Sequence, residues 1–283
     1  MKWQGRRGSR NIEDRRRRRG GGAAKAGGGI GLIAIVLVAY ALGIDVTALL
    51  DDPAAQGLGS SGAPITAADE KAAEFVSVTL ADTEDVWSDI FSRQVGEAYV
   101  PPVLVLFKGT TQSACGGASA ATGPFYCPVE RKAYLDTDFF VSLENRLGAG
   151  GDFAAAYVVA HEIAHHVQNE LGILPQVNRM RAQLDEIRSN ELSVRVELQA
   201  DCLAGIWTRS VQQKFGTLEQ GDIAEALNAA AQIGDDTLQR NAGRAMRPHT
   251  FTHGTSAQRQ RWFIRGLESG DIEDCDTFSA SQL

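Results

Sequence analysis

No two of the four cysteines in this chain are spaced as CxxC, which excludes a thiolate zinc knuckle and a thioredoxin-type redox motif. No internal repeat runs along the 283 residues, so a solenoid or propeller array is excluded as well. Net positive charge is missing from most of the chain. Residues 1–29 hold ten Lys/Arg against two acids, a balance of +8, which leaves 18 against 33, or −15, for the other 254. So acidic a bulk excludes a nucleic-acid-binding body; only the basic segment attracts phosphate. Histidine is scarce too: all five lie in two clusters, at 161–166 and 249–253.

The chain does have a long apolar run. From Ala26 to Ile44 no charge interrupts it, and Asp45 ends it. A helix of that length rises roughly 27 Å, close to the ~30 Å of bilayer hydrocarbon. The reading is a basic cytoplasmic tail over residues 1–27, a transmembrane helix over 28–44 and a Gly/Ser/Ala/Pro-rich tether over 45–66. The folded domain follows over 67–283. Arg15–Arg19 before the run and Asp45, Asp51 and Asp52 after it place the N-terminus inside and the domain outside the cytoplasm by the positive-inside rule. Two alternatives stand beside it: a buried core helix, and a cleavable signal peptide ending near Ala39-Tyr-Ala41.

Cys115, Cys127, Cys202 and Cys275 all follow that run, on the side where disulfides persist. Three pairings are possible. We expect Cys115–Cys127, closing a short Gly/Ala/Ser loop, and Cys202–Cys275, pinning the C-terminal segment to a helix; four buried free thiols are the alternative. Apolar spacing predicts helices over 67–81 and 84–96, a strand over 103–107, and two strands over 123–128 and 132–136. Further helices are expected over 137–147, from Asp152 to Leu171, almost unbroken from Pro175 to Phe215, and over 218–233 and 255–270. The class is α+β, mainly α, with a small sheet.

The chemistry centres on His161-Glu162-Ile-Ala-His165. At about 100° per residue the two histidines differ by roughly 40° and lie one helical turn apart on one face. Two such imidazoles can reach one Zn²⁺, while Glu162, offset by a residue, can stay beside the metal and take a proton from water as a general base. His166 points about 140° away from His161. Gln168 and Leu171 stand where a metzincin needs Gly and His, so that class is excluded. Glu197 can be the third ligand, and Asp201, four residues on, can hold a histidine tautomer through its distal N–H. Leu192, Val194, Val196, Leu198 and Ala200 crowd Glu197, which favours a buried carboxylate over a solvated one. His253, before a glycine and a helix start, can donate to an oxyanion; the other reading of 249–253 is a helix-capping loop in which the histidines pack.

Taken together, Trp3-Gln-Gly-Arg-Arg7, Asn11-Ile-Glu-Asp-Arg15, the single apolar run, Gly123-Pro-Phe-Tyr-Cys-Pro128, Ala160 to Gln168, Glu197 to Cys202 and Phe251 to Ser256 resemble the YpfJ-type neutral zinc metallopeptidases. The resemblance implies a zincin-like fold of the Glu-ligand kind, with His161, His165 and Glu197 as ligands and Glu162 as base. His253 matches the oxyanion-assisting histidine of related peptidases only loosely. The resulting expectation is a membrane-anchored endopeptidase with one Zn²⁺ per chain, acting on peptide or protein substrates outside the cytoplasm. The lipid bilayer is its partner through 28–44, and no nucleic acid is expected. An extended substrate would add to an edge strand at 124–128 or 103–107. The rival expectation is a catalytically silent, zinc-stabilised, membrane-tethered binding or scaffold protein.

Overall fold

A capping box starts the first long helix: the Thr66 hydroxyl accepts the Asp69 amide, and the Asp69 carboxylate accepts from Thr66 N at 2.7 Å. The computed structural model describes residues 1–17, 64–119, 123–140, 143 and 150–283. Helix α1 (Ala67–Ile90) continues into one π-helical turn, Phe91–Val95. The sequence pattern predicts two helices here, but Asp82 and Thr83 do not break the rod. Thr83 returns its hydroxyl to the Leu80 carbonyl and Asp82 is paired with Arg6, so both polar groups are buried with partners.

Four strands form the main sheet: β1 (Ile12–Asp14), β2 (Val103–Phe107), β5 (Phe125–Cys127) and β6 (Lys132–Asp136), in the order β1-β2-β6-β5. β2 runs parallel to both neighbours, with Ile12 opposite Leu104 and Val105 opposite Tyr134. β5 pairs antiparallel with β6 and is the edge of the sheet among the described residues. The polar, glycine-rich stretch between β2 and β5 makes a separate hairpin, β3 (Thr110–Ser113) with β4 (Gly116–Ser119), which apolar spacing does not reveal. The helix expected over 137–147 lies largely outside the described residues.

The helical side comprises α2 (Asp152–Glu170), α3 (Ile173–Arg181), α4 (Glu186–Phe215), α5 (Asp222–Gln232), α6 (Asp235–Asn241) and α7 (Ser256–Ser269). The helical stretch expected almost unbroken from Pro175 to Phe215 is divided by a turn at 182–185, where Asp185 caps α4 by accepting the Arg188 amide. α2 is the central rod, burying Phe153, Tyr157, Ile163 and Val167. α7 lies directly on α4 because glycines let the backbones meet. A Cβ at Gly266 would stand 1.8 Å from the Cys202 carbonyl oxygen, and one at Gly205 would stand 2.1 Å from that of Phe263. Cys115 is bonded to Cys127 and Cys202 to Cys275, so the 3₁₀ turn Glu273–Cys275 is tied to α4.

The membrane expectation is corrected by this architecture. Among the described residues no helix is long and apolar enough to cross a membrane. The span expected over 28–44 lies outside the described residues, as does the tether up to residue 63. Residues 1–17, expected as part of a basic cytoplasmic tail over 1–27, pack into the domain itself. Trp3 is buried edge-on against Phe75, β1 is hydrogen-bonded into the sheet, and Arg16 donates to the Asp69 carbonyl. A segment that supplies a strand to a sheet cannot lie across a bilayer from that sheet. The single-pass topology, the bilayer as partner, and membrane-anchored action outside the cytoplasm are therefore withdrawn.

Candidate metal centre

Helix α2 carries His161 and His165 one turn apart, with ring centroids 4.8 Å from each other. Helix α4 packs against α2 and brings Glu197 to both. Its Oε2 lies 3.1 Å from His161 Nε2 and its Oε1 3.5 Å from His165 Nε2. One donor atom from each residue falls within 4.8 Å of the others. With metal–ligand bonds of about 2.0–2.1 Å, a tetrahedral zinc site separates its donors by roughly 3.3 Å. The two His–Glu distances, each to a different oxygen of the carboxylate, are close to that value, and two imidazole nitrogens with one carboxylate are donors that zinc accepts. The residues fit the ion.

The far nitrogens of both rings are also engaged. His161 Nδ1 is 2.9 Å from Asp201 Oδ1, and His165 Nδ1 is 2.8 Å from Gln168 Oε1. Arg259 Nε and Nη2 donate to the two oxygens of Asp201 at 2.8 and 2.9 Å, and the Tyr157 hydroxyl donates to Oδ1 at 2.5 Å. An aspartate surrounded by donors accepts from His161 Nδ1–H as well, which makes Nε2 the ring nitrogen that faces Glu197. Burial pulls the His161 ring down, yet the charge and hydrogen bond of Asp201 and the contact with Glu197 outweigh it and raise the ring to about 10. Burial would lift Glu197, but His165 and the two imidazole hydrogen bonds hold it well below the usual carboxylate range. The pocket favours positive charge where the donors converge.

Glu162 lies beside this cluster. Its carboxylate lines a cleft of about 540 Å³ shared with Gly123–Tyr126, His161, His165, Glu197 and His253, and it has no hydrogen-bond partner among the described residues. Burial raises its pKa, opposed by the nearby histidines. His253 stands at the cleft wall, half-exposed, on a loop held by Asp235. Asp235 Oδ2 accepts the amides of Thr252, His253 and Gly254 at 2.8, 2.6 and 2.9 Å. His249 is not brought to the cluster; it lines a neighbouring groove, and its carbonyl accepts from Asn190. His166 is buried away from the cluster, between the Tyr126 hydroxyl at 2.9 Å and the Val100 carbonyl at 2.7 Å. A second convergent group, Asp152, Asp222 and Glu225, is neutralised in part by the Met1 ammonium, 2.6 and 3.3 Å from the two aspartates.

The family model described as "Putative neutral zinc metallopeptidase" matches residues 1–278. The chain belongs to that family. It is 46% identical over 290 residues to the uncharacterized protein YpfJ of Escherichia coli strain K12, covering 99% of this chain and all of YpfJ. It is 44% identical over 218 residues to the uncharacterized protein Rv2575 of Mycobacterium tuberculosis strain H37Rv, covering 74% of this chain and 71% of that protein. No solved structure gives a significant match.

Residue-by-residue reading of the sequence misses three residues that support the histidine pair or its aspartate partner. Arg259 falls in the helix expected over 255–270 with no role assigned. Tyr157 reads only as core. Gln168 enters only as the residue that excludes a metzincin. For Gln168 a signal exists: it follows His165 by three residues, one turn away on the same face.

Proposed function

We propose that this domain is a zinc-dependent peptidase, with one Zn²⁺ per chain held by His161, His165 and Glu197. The observation that carries the proposal is the convergence of three donors in one cleft beside a glutamate with no hydrogen-bond partner among the described residues. Bound zinc supplies Lewis acidity, lowering the pKa of water toward ~7 and polarising a peptide carbonyl. Glu162 is the general base. It takes the proton of the attacking water and returns it to the leaving amine. Asp201 and Gln168 hold the ligand imidazoles in the tautomer that presents Nε2. His253, which lines the same cleft, donates to the developing oxyanion. Its own pKa is raised because the Asp235 hydrogen bond and the Glu197 charge overcome burial, which alone would lower it.

An extended substrate pairs with the side of β5 that has no partner strand among the described residues, where β5 lines the cleft. The other candidate, β2, is corrected: both its sides are taken by β1 and β6, so it has no free edge. A catalytically silent zinc-stabilised binding protein needs no unpaired glutamate at the cleft, so the enzyme reading is preferred.

The test combines metal analysis of the full chain with cleavage of a peptide library. One zinc per chain and cleavage that a chelator stops and zinc restores is the expected result. Stoichiometric zinc without any cleavage refutes the peptidase. His253 has its own signature. His253→Phe should lower kcat by about 10²–10³, the usual effect of deleting one oxyanion donor, with zinc affinity unchanged. A loss below threefold removes His253 from the reaction.

A further inference from the structure

Two buried glutamines run from His165 to the far side of α4. The Gln168 side chain is fully buried and uses both ends of its amide. Oε1 meets His165 Nδ1 at 2.8 Å, while Nε2 donates to the Val196 carbonyl at 2.8 Å and to Gln199 Oε1 at 3.0 Å. Gln199 in turn donates from Nε2 to the Cys275 carbonyl at 3.0 Å. Both outer anchors are backbone carbonyls, which only accept. Gln199 must therefore turn its NH₂ to Cys275 and its oxygen to Gln168. Gln168 must turn its NH₂ to Val196 and Gln199, which uses both of its N–H bonds, and its oxygen to His165. Flipping either amide sets oxygen against oxygen in a buried place, a loss of about 1–3 kcal/mol for each unsatisfied group. The only remaining arrangement has His165 Nδ1 carrying the proton.

We infer that Gln168 and Gln199 are positioning residues: a directional hydrogen-bond relay, anchored at the Val196 and Cys275 carbonyls, that locks His165 as the Nδ1–H tautomer and so presents Nε2 to the metal. This inference rests on the metal-centre reading above. The relay also joins the ligand helices. Val196 directly precedes Glu197, so the Gln168 amide holds His165 and Glu197 in one frame. Cys275 is held on α4 by its disulfide to Cys202, next to Asp201. Asp201 fixes His161, the glutamine relay fixes His165, and both supports end on the same stretch of α4. The two imidazoles are thus set independently, one by a charged acceptor and one by a neutral chain whose polarity the backbone dictates.

The experiment measures zinc affinity by chelator competition on the full chain, for wild type and for the size-matched variants Gln168→Met and Gln199→Met. Metal-free thermal melting is recorded alongside. Loss of a group that supports a ligand costs 10–100-fold in metal affinity, and Gln168→Met should fall in that range. Gln199→Met touches neither histidine nor metal and should still weaken zinc by at least threefold. A purely structural role would lower the melting of the metal-free variants and leave zinc affinity within twofold, which overturns the relay. Side-chain ¹⁵N spectra of the zinc-loaded wild type need no variant. They should show His165 protonated at Nδ1 and coordinated through Nε2; coordination through Nδ1 also overturns it. If wild type binds no zinc, the metal-centre reading itself fails; if it binds zinc and both variants match it, only the relay fails.

Discussion

Glu162→Gln should leave zinc in place and lower peptide hydrolysis by at least 10³-fold, within the roughly 10²–10⁴ that a positioned general base contributes. The amide keeps the shape of the side chain but cannot take a proton from water. The structure makes this a clean substitution. Glu162 has no hydrogen-bond partner to lose among the described residues, and it is not one of the three converging donors. Its carboxylate is already disfavoured by burial and by the charge of Glu197. Removing that charge should leave the metal-free protein melting at the wild-type temperature or slightly above it. Inactivity together with unchanged zinc content and unimpaired melting separates lost chemistry from lost structure. A variant that retains more than a tenth of wild-type kcat/KM would take the proton-transfer role away from Glu162.

How much of this centre could be read from the sequence depends on the range of the interaction. His161 and His165 share a face by helix period alone, so their relation needs no tertiary information. Glu197 lies 36 and 32 residues away from them on another helix. The apolar residues around it mark α4 as buried without saying what it faces, and the family resemblance supplied the rest. The same limit explains β1. A strand of three residues carrying Glu13 and Asp14, among arginines, has no alternating apolar pattern and looks like a solvated tail. It pairs because β2 offers a free parallel edge and because Trp3 finds a pocket against α1, facts that exist only in three dimensions. Charge density misled the topology in the same way. Arginines read as a membrane-side signal include Arg15, bound to Glu13, and Arg16, bound to Asp14 and Glu70 on the surface of the domain.

Arg259 is the residue whose role only packing reveals, and it makes the largest stability prediction. It is buried with Asp201, and the two charges neutralise each other through two hydrogen bonds between α7 and α4. Arg259 draws Asp201 below the usual carboxylate range even though burial pushes the other way. Asp201→Leu strands the guanidinium in the core. Breaking one side of a buried pair costs about 3–5 kcal/mol, which for a chain of this size lowers Tm by roughly 6–20 °C in the metal-free protein. It also takes the acceptor from His161 Nδ1, so zinc affinity should drop 10–100-fold. Adding Arg259→Met separates the two losses. Replacing a buried ion pair by apolar groups of similar volume is often close to neutral, so the double variant should recover most of the melting temperature. It should not recover zinc, because His161 still lacks the partner that fixes its tautomer. This double-mutant cycle therefore predicts strong coupling in stability and none in metal affinity. If the second substitution restores both, Asp201 acts on the metal only by keeping the core intact. If it restores neither, the pair does not carry the energy assigned to it, and the junction of α4 with α7 rests on the Gly205 and Gly266 contacts instead.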